Sequence, residues 1–244
     1  MKLLKSDFHT FSAAIALCAL GMGFAPAASA ISTYDAMAEF TLTLTGVTDA
    51  TGAQVTSGWD VTAFGDGVVF TNENGAASAT GSVSIIDPAV SMRFLDSITQ
   101  SSTSSGSASN GFAFTDALTD LDIDVDNFSG QALTFSFDFS AMTDAVTSAV
   151  FPGTASANAT VDMLDDLGYF NILAIADAID GNPATGTGDL IGSVQFVLLD
   201  GESNLISGFV DSFGSAEAVP VPAAVWLFGS GLIGLIGIAR RKIQ

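Results

Sequence analysis

Strict alternation of apolar and polar residues is the feature of this sequence that most restricts its fold. Around Phe135 and Phe137, apolar side chains occupy every second position, and Thr, Ser or Asp occupies the positions between them. The same period of two recurs around Phe40, Val83 and Val161. Because successive side chains of a β-strand point to opposite faces, this pattern predicts strands with one apolar face and one polar face. Many such strands, separated by Gly, Asn and Asp turns, favour an all-β fold, an antiparallel β-sandwich of jelly-roll-like type.

Three stretches depart from this pattern. Positions 142–150 and 172–179 show helix-like spacing without convincing caps, and we interpret them as loops or short helices. Positions 97–110 consist almost entirely of Ser, Thr, Gly, Ala, Gln and Asn, a composition that predicts a flexible surface loop. The strand pattern continues on both sides of that loop, which favours a single domain over two subdomains.

The charges are distributed very unevenly along the chain. All but one of the 26 acidic residues, but only Arg93 among the six basic residues, lie between positions 31 and 219, where the net charge is −24. Nucleic acid is therefore excluded as a direct partner, because binding it requires Lys and Arg to neutralise phosphates. Anionic lipid surfaces are repelled for the same reason.

The N-terminus has the three parts of a secretory signal peptide, which we place at residues 1–30. Lys2 and Lys5 supply the charged region, residues 11–24 the apolar run, and Ala28 and Ala30 the small-residue cleavage site. An N-terminal membrane helix is the alternative, but the apolar run is short for a span. The mature chain is expected to begin at Ile31.

Removal of the signal peptide narrows the chemistry that remains. Cys18 and His9 are lost with it, so positions 31–219 contain no Cys, no His and no Lys. A disulfide framework is excluded, and so are thiolate and imidazole catalysis. The remaining catalytic option is a carboxylate pair of the glycosidase kind, and nothing in the sequence marks out such a pair. The sequence therefore predicts a non-enzymatic protein without a cofactor.

The most metal-like motif consists of Asp120, Asp122, Asp124 and Asp126, which alternate with apolar residues. An EF-hand loop starts with similar spacing but needs Gly at its sixth position and Glu at its twelfth, where this chain has Val125 and Gln131. On a strand the four carboxylates stand on one face, about 7 Å apart. We interpret them as a solvated acidic stripe, with calcium held by loop carboxylates as the alternative.

Arg93 and the aromatic residues Trp59 and Tyr34 are the remaining candidates for ligand contact. Arg93 lies among apolar residues that predict a half-buried strand, where it is expected to pair with Asp87 or Asp96. The alternative is that it clamps a carboxylate ligand. Trp59 and Tyr34 could stack on sugars, although single aromatic residues more often belong to a core or its rim.

The C-terminus contains an uncharged apolar segment at residues 223–239 followed by Arg240, Arg241 and Lys242. As a helix it is about 26 Å long, close to the thickness of a hydrocarbon core. Trp226 occupies the place of an interfacial anchor, and the basic residues put the tail in the cytoplasm. The segment therefore predicts one transmembrane helix that holds the acidic domain, residues 31–218, outside.

Residues 219–244 combine this helix with a proline motif. The motif reads Val219, Pro220, Val221, Pro222, Ala223 and Ala224, and Trp226, Gly229, Ser230 and Gly231 follow it before the basic end. This tail resembles the PEP-CTERM sorting signal, in its Val-Pro-x-Pro-Ala-Ala variant, because Val221 stands where the family name places Glu. The signal occurs on exported proteins of Gram-negative bacteria that make exopolysaccharide.

The resemblance implies a substrate of exosortase, a membrane-embedded cysteine protease. It further implies that the inner membrane anchors the protein during sorting, before it reaches the cell surface or the extracellular matrix of a biofilm. The expected function is that of a non-enzymatic surface protein associated with exopolysaccharide or another surface glycan. The alternatives are a carbohydrate-binding module, assisted or not by calcium, and then a glycosidase.

Overall fold

The computed structural model describes residues 31–150, 153–169, 171–180, 183–219, 228 and 231–233. The predicted signal peptide and most of the predicted sorting tail lie outside these residues. Residues Ala30–Val219 form one compact unit. In the other unit, Phe228 and residues 231–233 are helical. Within the described part of the chain, no helix has both the length and the apolar character needed to cross a bilayer.

The compact unit is built from antiparallel β-strands. The strands are β1 (Ser32–Asp49), β2 (Trp59–Val83), β3 (Ile86–Ser91), β4 (Ser97–Asn127), β5 (Leu133–Ala149), β6 (Thr154–Asp165), β7 (Asn171–Ile179), β8 (Ala184–Leu198) and β9 (Ser203–Ala218). They form one sheet in the order β7-β6-β9-β4-β1-β5-β8, and β2 pairs with both β4 and β3. The predicted all-β antiparallel class is confirmed.

The long strands β2 and β4 pair along most of their length and bend together at one point. At the bend Gly75 and Gly111 lie opposite each other, with φ angles of 74° and 129°. A Cβ atom on Gly75 would collide with the carbonyl oxygen of Asn110, and one on Gly111 with that of Asn74. Glycine is therefore required at both positions. Before the bend β4 pairs with β1, and after it β4 pairs with β9.

The bend folds the sheet into two layers that face each other. A Cβ atom built on Gly81 would lie 2.6 Å from Thr115 Cγ2 and 2.8 Å from Val69 Cγ1, so the two arms of the β2/β4 pair are in close contact. At the other end of the sheet, Gly186 and Gly188 of β8 pack against the backbone of β7. The first layer consists of the first half of β4 together with β1, β5 and β8. The second layer consists of the second half of β4 together with β9, β6 and β7.

The interior between the layers changes in character along its length. Phe135 and Phe137 are fully buried and stack on Phe196, with centroids 6.0 and 5.8 Å from that of Phe196.

Elsewhere in the interior, small residues bring the layers close together. The Tyr34 ring lies against Gly106 and Gly214, where any added Cβ atom would overlap it. Its hydroxyl is hydrogen-bonded to that of Thr115 at 2.8 Å. Burial raises the pKa of Tyr34, although this hydrogen bond opposes the rise.

The first half of β4 contradicts the prediction of a flexible loop at positions 97–110. These residues are paired on one side with β1 and on the other with β2. Ile98, Gln100, Ser102 and Ser104 point inward and are buried.

The outward hydroxyl groups of this part of the sheet pair across the strands, as in Thr41–Thr99 at 3.0 Å. We call this surface the hydroxyl face. Its central residues are Thr41, Thr43, Ser78, Thr80, Ser82, Ser97, Thr99, Thr103, Ser105 and Ser107.

The outer surface of the second layer has a different composition. Aromatic and aliphatic side chains are mixed there with carboxylates, and the outward positions of β4 lie opposite outward positions of β2 and β9. We call this surface the aromatic–carboxylate face. Its residues are Phe64, Asp66, Val68, Phe70, Phe112, Phe114, Asp116, Leu118, Asp120, Asp122, Asp124, Phe209, Asp211 and Phe213.

The two stretches with helix-like spacing are also strands, so that prediction was wrong. Positions 142–149 form the end of β5, and positions 172–179 lie in β7. In β7 the residues Ile172, Ala174, Ala176 and Ala178 are buried while their neighbours are exposed. The sequence signal was hidden because the exposed neighbours include Leu173, Ile175 and Ile179, which remove the apolar–polar contrast.

Candidate ligand-binding cavity

The sorting residues fall largely outside what the structure describes. Val219 directly follows the end of β9 at Ala218, and Gly231 is helical. The positions outside the described residues are Ala28, Ala30, Pro220, Val221, Pro222, Ala223, Ala224, Trp226, Gly229, Ser230, Arg240, Arg241 and Lys242. The boundary at Val219 shows that the last strand is complete before the proline motif begins.

The four alternating aspartates of the predicted stripe lie on the second half of β4, where they alternate with buried Leu121, Ile123 and Val125. Asp120 lies opposite Asp66, and Asp126 opposite Asp60. Like charges directly opposite each other are destabilising in a sheet. Burial and the neighbouring Asp124 and Asp120 raise the pKa of Asp122. No group of three or more potential metal ligands occurs among the described residues.

A second carboxylate feature on this face was not predicted from the sequence. Asp116 of β4 and Asp211 of β9 are hydrogen-bonded to each other. Burial, the charge of Asp116 and this hydrogen bond raise the pKa of Asp211 to about 6, although the backbone of Ser212 opposes the rise. The two residues are 95 positions apart and become neighbours only through the pairing of β4 with β9.

An open cavity of about 540 Å³ lies at one end of the compact unit, where three segments meet. The segments are the β1–β2 loop, the start of β2 and the turn between β3 and β4. The lining residues are Gln54, Val55, Thr56, Trp59, Asp60, Ser91, Met92, Arg93 and Phe94. The volume is within the range of small-molecule sites.

Trp59 and Arg93, two residues singled out from the sequence, meet in this cavity. The Trp59 ring contacts Phe135 edge to face, with centroids 6.3 Å apart. Its indole N–H donates to the carbonyl oxygen of Val55 at 3.0 Å. The ring is therefore held in one orientation by its core contact and its hydrogen bond. Tyr34, the third candidate, is buried in the interior and does not reach the cavity.

Arg93 does not lie in a half-buried strand, so that prediction was wrong. It is exposed, in the turn that joins β3 to β4. The turn is fixed at both ends. The Arg93 backbone N–H donates to Asp96 Oδ2 at 2.7 Å, and the Leu95 N–H donates to the carbonyl oxygen of Leu44 at 2.8 Å. Neighbouring Met92 is buried and donates its N–H to Val61. The side chain of Arg93 thus projects from a well-anchored backbone.

The expected salt bridge of Arg93 is also absent within the described part of the chain. Asp96 is engaged by the Arg93 backbone, and no described carboxylate forms an ion pair with the guanidinium. Asp60 lines the same cavity and accepts a hydrogen bond from the Thr62 hydroxyl at 3.0 Å. The cavity therefore combines a cation that has no ion-pair partner there, one carboxylate, amide and hydroxyl groups, and an aromatic ring.

No sequence pattern marked the other polar lining residues, which are Gln54, Thr56, Asp60 and Ser91. They belong to loop or strand-end segments that are far apart in the chain and resemble ordinary turn sequences. The comparisons with protein-family models, curated proteins and solved structures found no match for this chain.

Proposed function

We propose that this chain is an exported, non-enzymatic protein of the cell surface or extracellular matrix, sorted by exosortase and associated with exopolysaccharide. The signal-like N-terminus and the sorting-like tail support this proposal. The structural observation that carries it is the end of β9 at Ala218, one residue before the motif that starts at Val219. A cut in the motif would remove the tail without removing any residue of a described strand.

The finer architecture belongs to the same proposal. The folded two-layer sheet is a sandwich of the jelly-roll-like kind, preceded by a signal peptide and followed by one transmembrane helix at residues 223–239. In this arrangement the inner membrane holds the protein until processing. After cleavage of the tail, the acidic domain is released from the inner membrane and associates with exopolysaccharide.

Processing is tested by the intact mass of the protein recovered from the cell surface. We expect a chain that begins at Ile31 and lacks about 22 to 25 C-terminal residues, since the cut lies near Pro222. In cells without exosortase the tail should be retained. A variant with Arg240, Arg241 and Lys242 replaced by Gln tests the membrane topology, because these residues fix the cytoplasmic side. A surface form that still ends at Gln244 would falsify the sorting proposal.

Carbohydrate binding is the second candidate, and the cavity favours it. A fixed aromatic ring beside amide and hydroxyl groups is a common way to hold a sugar, because the ring packs on C–H groups while the polar groups bind hydroxyls. Glycan-array binding with and without a chelator tests this candidate and its calcium-assisted form. A glycosidase is the third candidate, and turnover of the host polysaccharide would reveal it.

A further inference from the structure

We propose that the cavity lined by Trp59 and Arg93 binds a saccharide that carries a carboxylate, a uronic acid residue, with Arg93 as the partner of that carboxylate. This inference rests on the proposed association with exopolysaccharide and names the class of sugar. It is carried by three features of the cavity: a cation with no ion-pair partner among the described residues, an anchored backbone beneath it, and the mixture of groups around it.

The state of Arg93 is the first feature. It is the only basic residue among positions 31–219, where 25 carboxylates are present. With so many acidic side chains, a structural arginine would be expected to have an ion-pair partner, yet no described carboxylate fills that role. Arg93 instead lines an open cavity. A planar group with five N–H donors is suited to a carboxylate ligand, which it can bind with two parallel hydrogen bonds.

The backbone beneath Arg93 is the second feature. The hydrogen bond from the Arg93 N–H to Asp96 closes the turn, and the hydrogen bond from the Leu95 N–H to Leu44 connects the turn to β1. Buried Met92 fixes the preceding residue. Binding therefore requires ordering of the arginine side chain but not of its loop, which lowers the entropic cost of association.

The remaining lining groups identify the rest of the ligand. Gln54, Thr56, Ser91 and Asp60 provide both donors and acceptors for hydroxyl groups, and Trp59 provides an apolar surface. A pyranose with one carboxylate offers all the complementary groups. A phosphate is less suitable, because one arginine beside Asp60 cannot neutralise two negative charges. Densely charged polyanions are opposed by the net charge of −24, a repulsion that salt screens beyond about 8 Å.

The test uses the surface form of the protein purified from its own cells and two matched ligands. One ligand is a neutral oligomer that carries a single galacturonic acid residue, and the other is the same oligomer with that carboxyl group reduced to an alcohol. We expect the uronate to bind about tenfold more tightly than its reduced form, measured by calorimetry. Arg93→Gln should abolish the difference. Arg93→Lys should restore part of it, because a point charge replaces the planar fork.

Thr185→Glu is the matched control, since it changes the net charge by the same amount as Arg93→Gln at an exposed position of β8. It should leave the difference intact, and thermal melting should confirm that each variant is folded. Equal binding of both oligomers, or an unchanged preference in Arg93→Gln, overturns the inference and leaves the association with polysaccharide standing. If neither oligomer binds, the inference is overturned. If the host polysaccharide does not bind either, the proposed association with exopolysaccharide is overturned as well. Tighter binding of a short peptide with a free C-terminus would also overturn it.

Discussion

The two outer faces of the folded sheet are built by the same pair of strands, β2 and β4, and yet differ in chemistry. On the hydroxyl face, Ser and Thr side chains pair with one another across strands. The outward carboxylates of Asp35 and Glu39 in β1 lie opposite Ser105 and Ser101. On the aromatic–carboxylate face, Phe and Asp side chains are neighbours, and Asp66 lies directly opposite Asp120. The first face is dominated by paired hydroxyl groups, while the other places a dense run of carboxylates beside apolar surface.

The two faces therefore affect the stability and the solubility of the fold in different ways. Exposed hydroxyl pairs contribute little energy but keep the strands in register without adding charge. The other face includes Phe64, Val68 and Phe70, which are exposed by 39%, 40% and 57%. Surrounding carboxylates keep this apolar surface soluble through mutual repulsion between copies of the chain. The same carboxylates destabilise the fold by repelling one another within it.

The junction between the faces should be the most sensitive position. Gly111→Ala places a Cβ atom against the carbonyl of Asn74 and forces a positive φ on alanine, so we expect a loss of about 3 kcal/mol or more in the free energy of unfolding. Gly130→Ala is the matched control, because Gly130 also has a positive φ of 81° but no atom within 4 Å of the added Cβ. It should cost about 1 kcal/mol. Equal losses in urea denaturation would show that the bend does not depend on close packing.

The Asp116–Asp211 pair should produce an intermediate effect. The pKa of Asp211 rises from 3.8 to about 6 on folding, so the folded chain binds this proton more tightly than the unfolded chain. Its contribution to stability is present below pH 4 and is lost as the pH rises towards 6 and above. Asp211→Asn removes the charge and should raise the stability at pH 7 by about 1 kcal/mol, after allowance for solvent screening.

This stabilisation corresponds to a melting temperature about 2 to 4 °C higher for a unit of this size. At pH 4 the difference between the variant and the parent chain should nearly vanish, because Asp211 is then protonated in the folded chain. Glu39→Gln is the control on the opposite layer, since it removes the same charge from the outer surface of β1. An equal gain from that substitution would assign the effect to net charge, and the carboxyl pair would have no special role.

Much of the fold could be predicted from the sequence where apolar residues mark the buried face. The alternation around Phe135 and Phe137 indicated β5, and the alternating aspartates lie on a strand, as expected. The first half of β4 could not be predicted, because its buried positions hold Gln100, Ser102 and Ser104. These buried polar residues remove the apolar signal on which periodicity depends.

The candidate cavity could be predicted only in part. Trp59 and Arg93 stood out from the sequence because each residue type is rare in it, but nothing indicated that they meet. Their proximity depends on the turn after β3, which is tied to β1 by Leu95 and Leu44. The Asp116–Asp211 pair was equally inaccessible, since strand register between distant segments decides which of many carboxylates become neighbours.

The smallest effect is expected on the hydroxyl face, at the pair Thr41 and Thr99. Their hydroxyls are 3.0 Å apart and solvent-exposed, so water can replace each lost hydrogen bond. Replacing either residue with Val keeps the β-branched shape and should change the unfolding free energy by no more than about 0.5 kcal/mol. The double-mutant cycle should give a coupling of about 0.3 kcal/mol, near the lower end for cross-strand pairs. The buried pair of Tyr34 and Thr115, at 2.8 Å, provides the contrast. Tyr34→Phe leaves the buried Thr115 hydroxyl without this hydrogen bond and should lower the free energy of unfolding by about 1 to 3 kcal/mol. If a Val substitution at Thr41 or Thr99 costs as much as Tyr34→Phe, the hydroxyl face stabilises the fold and does not merely maintain strand register.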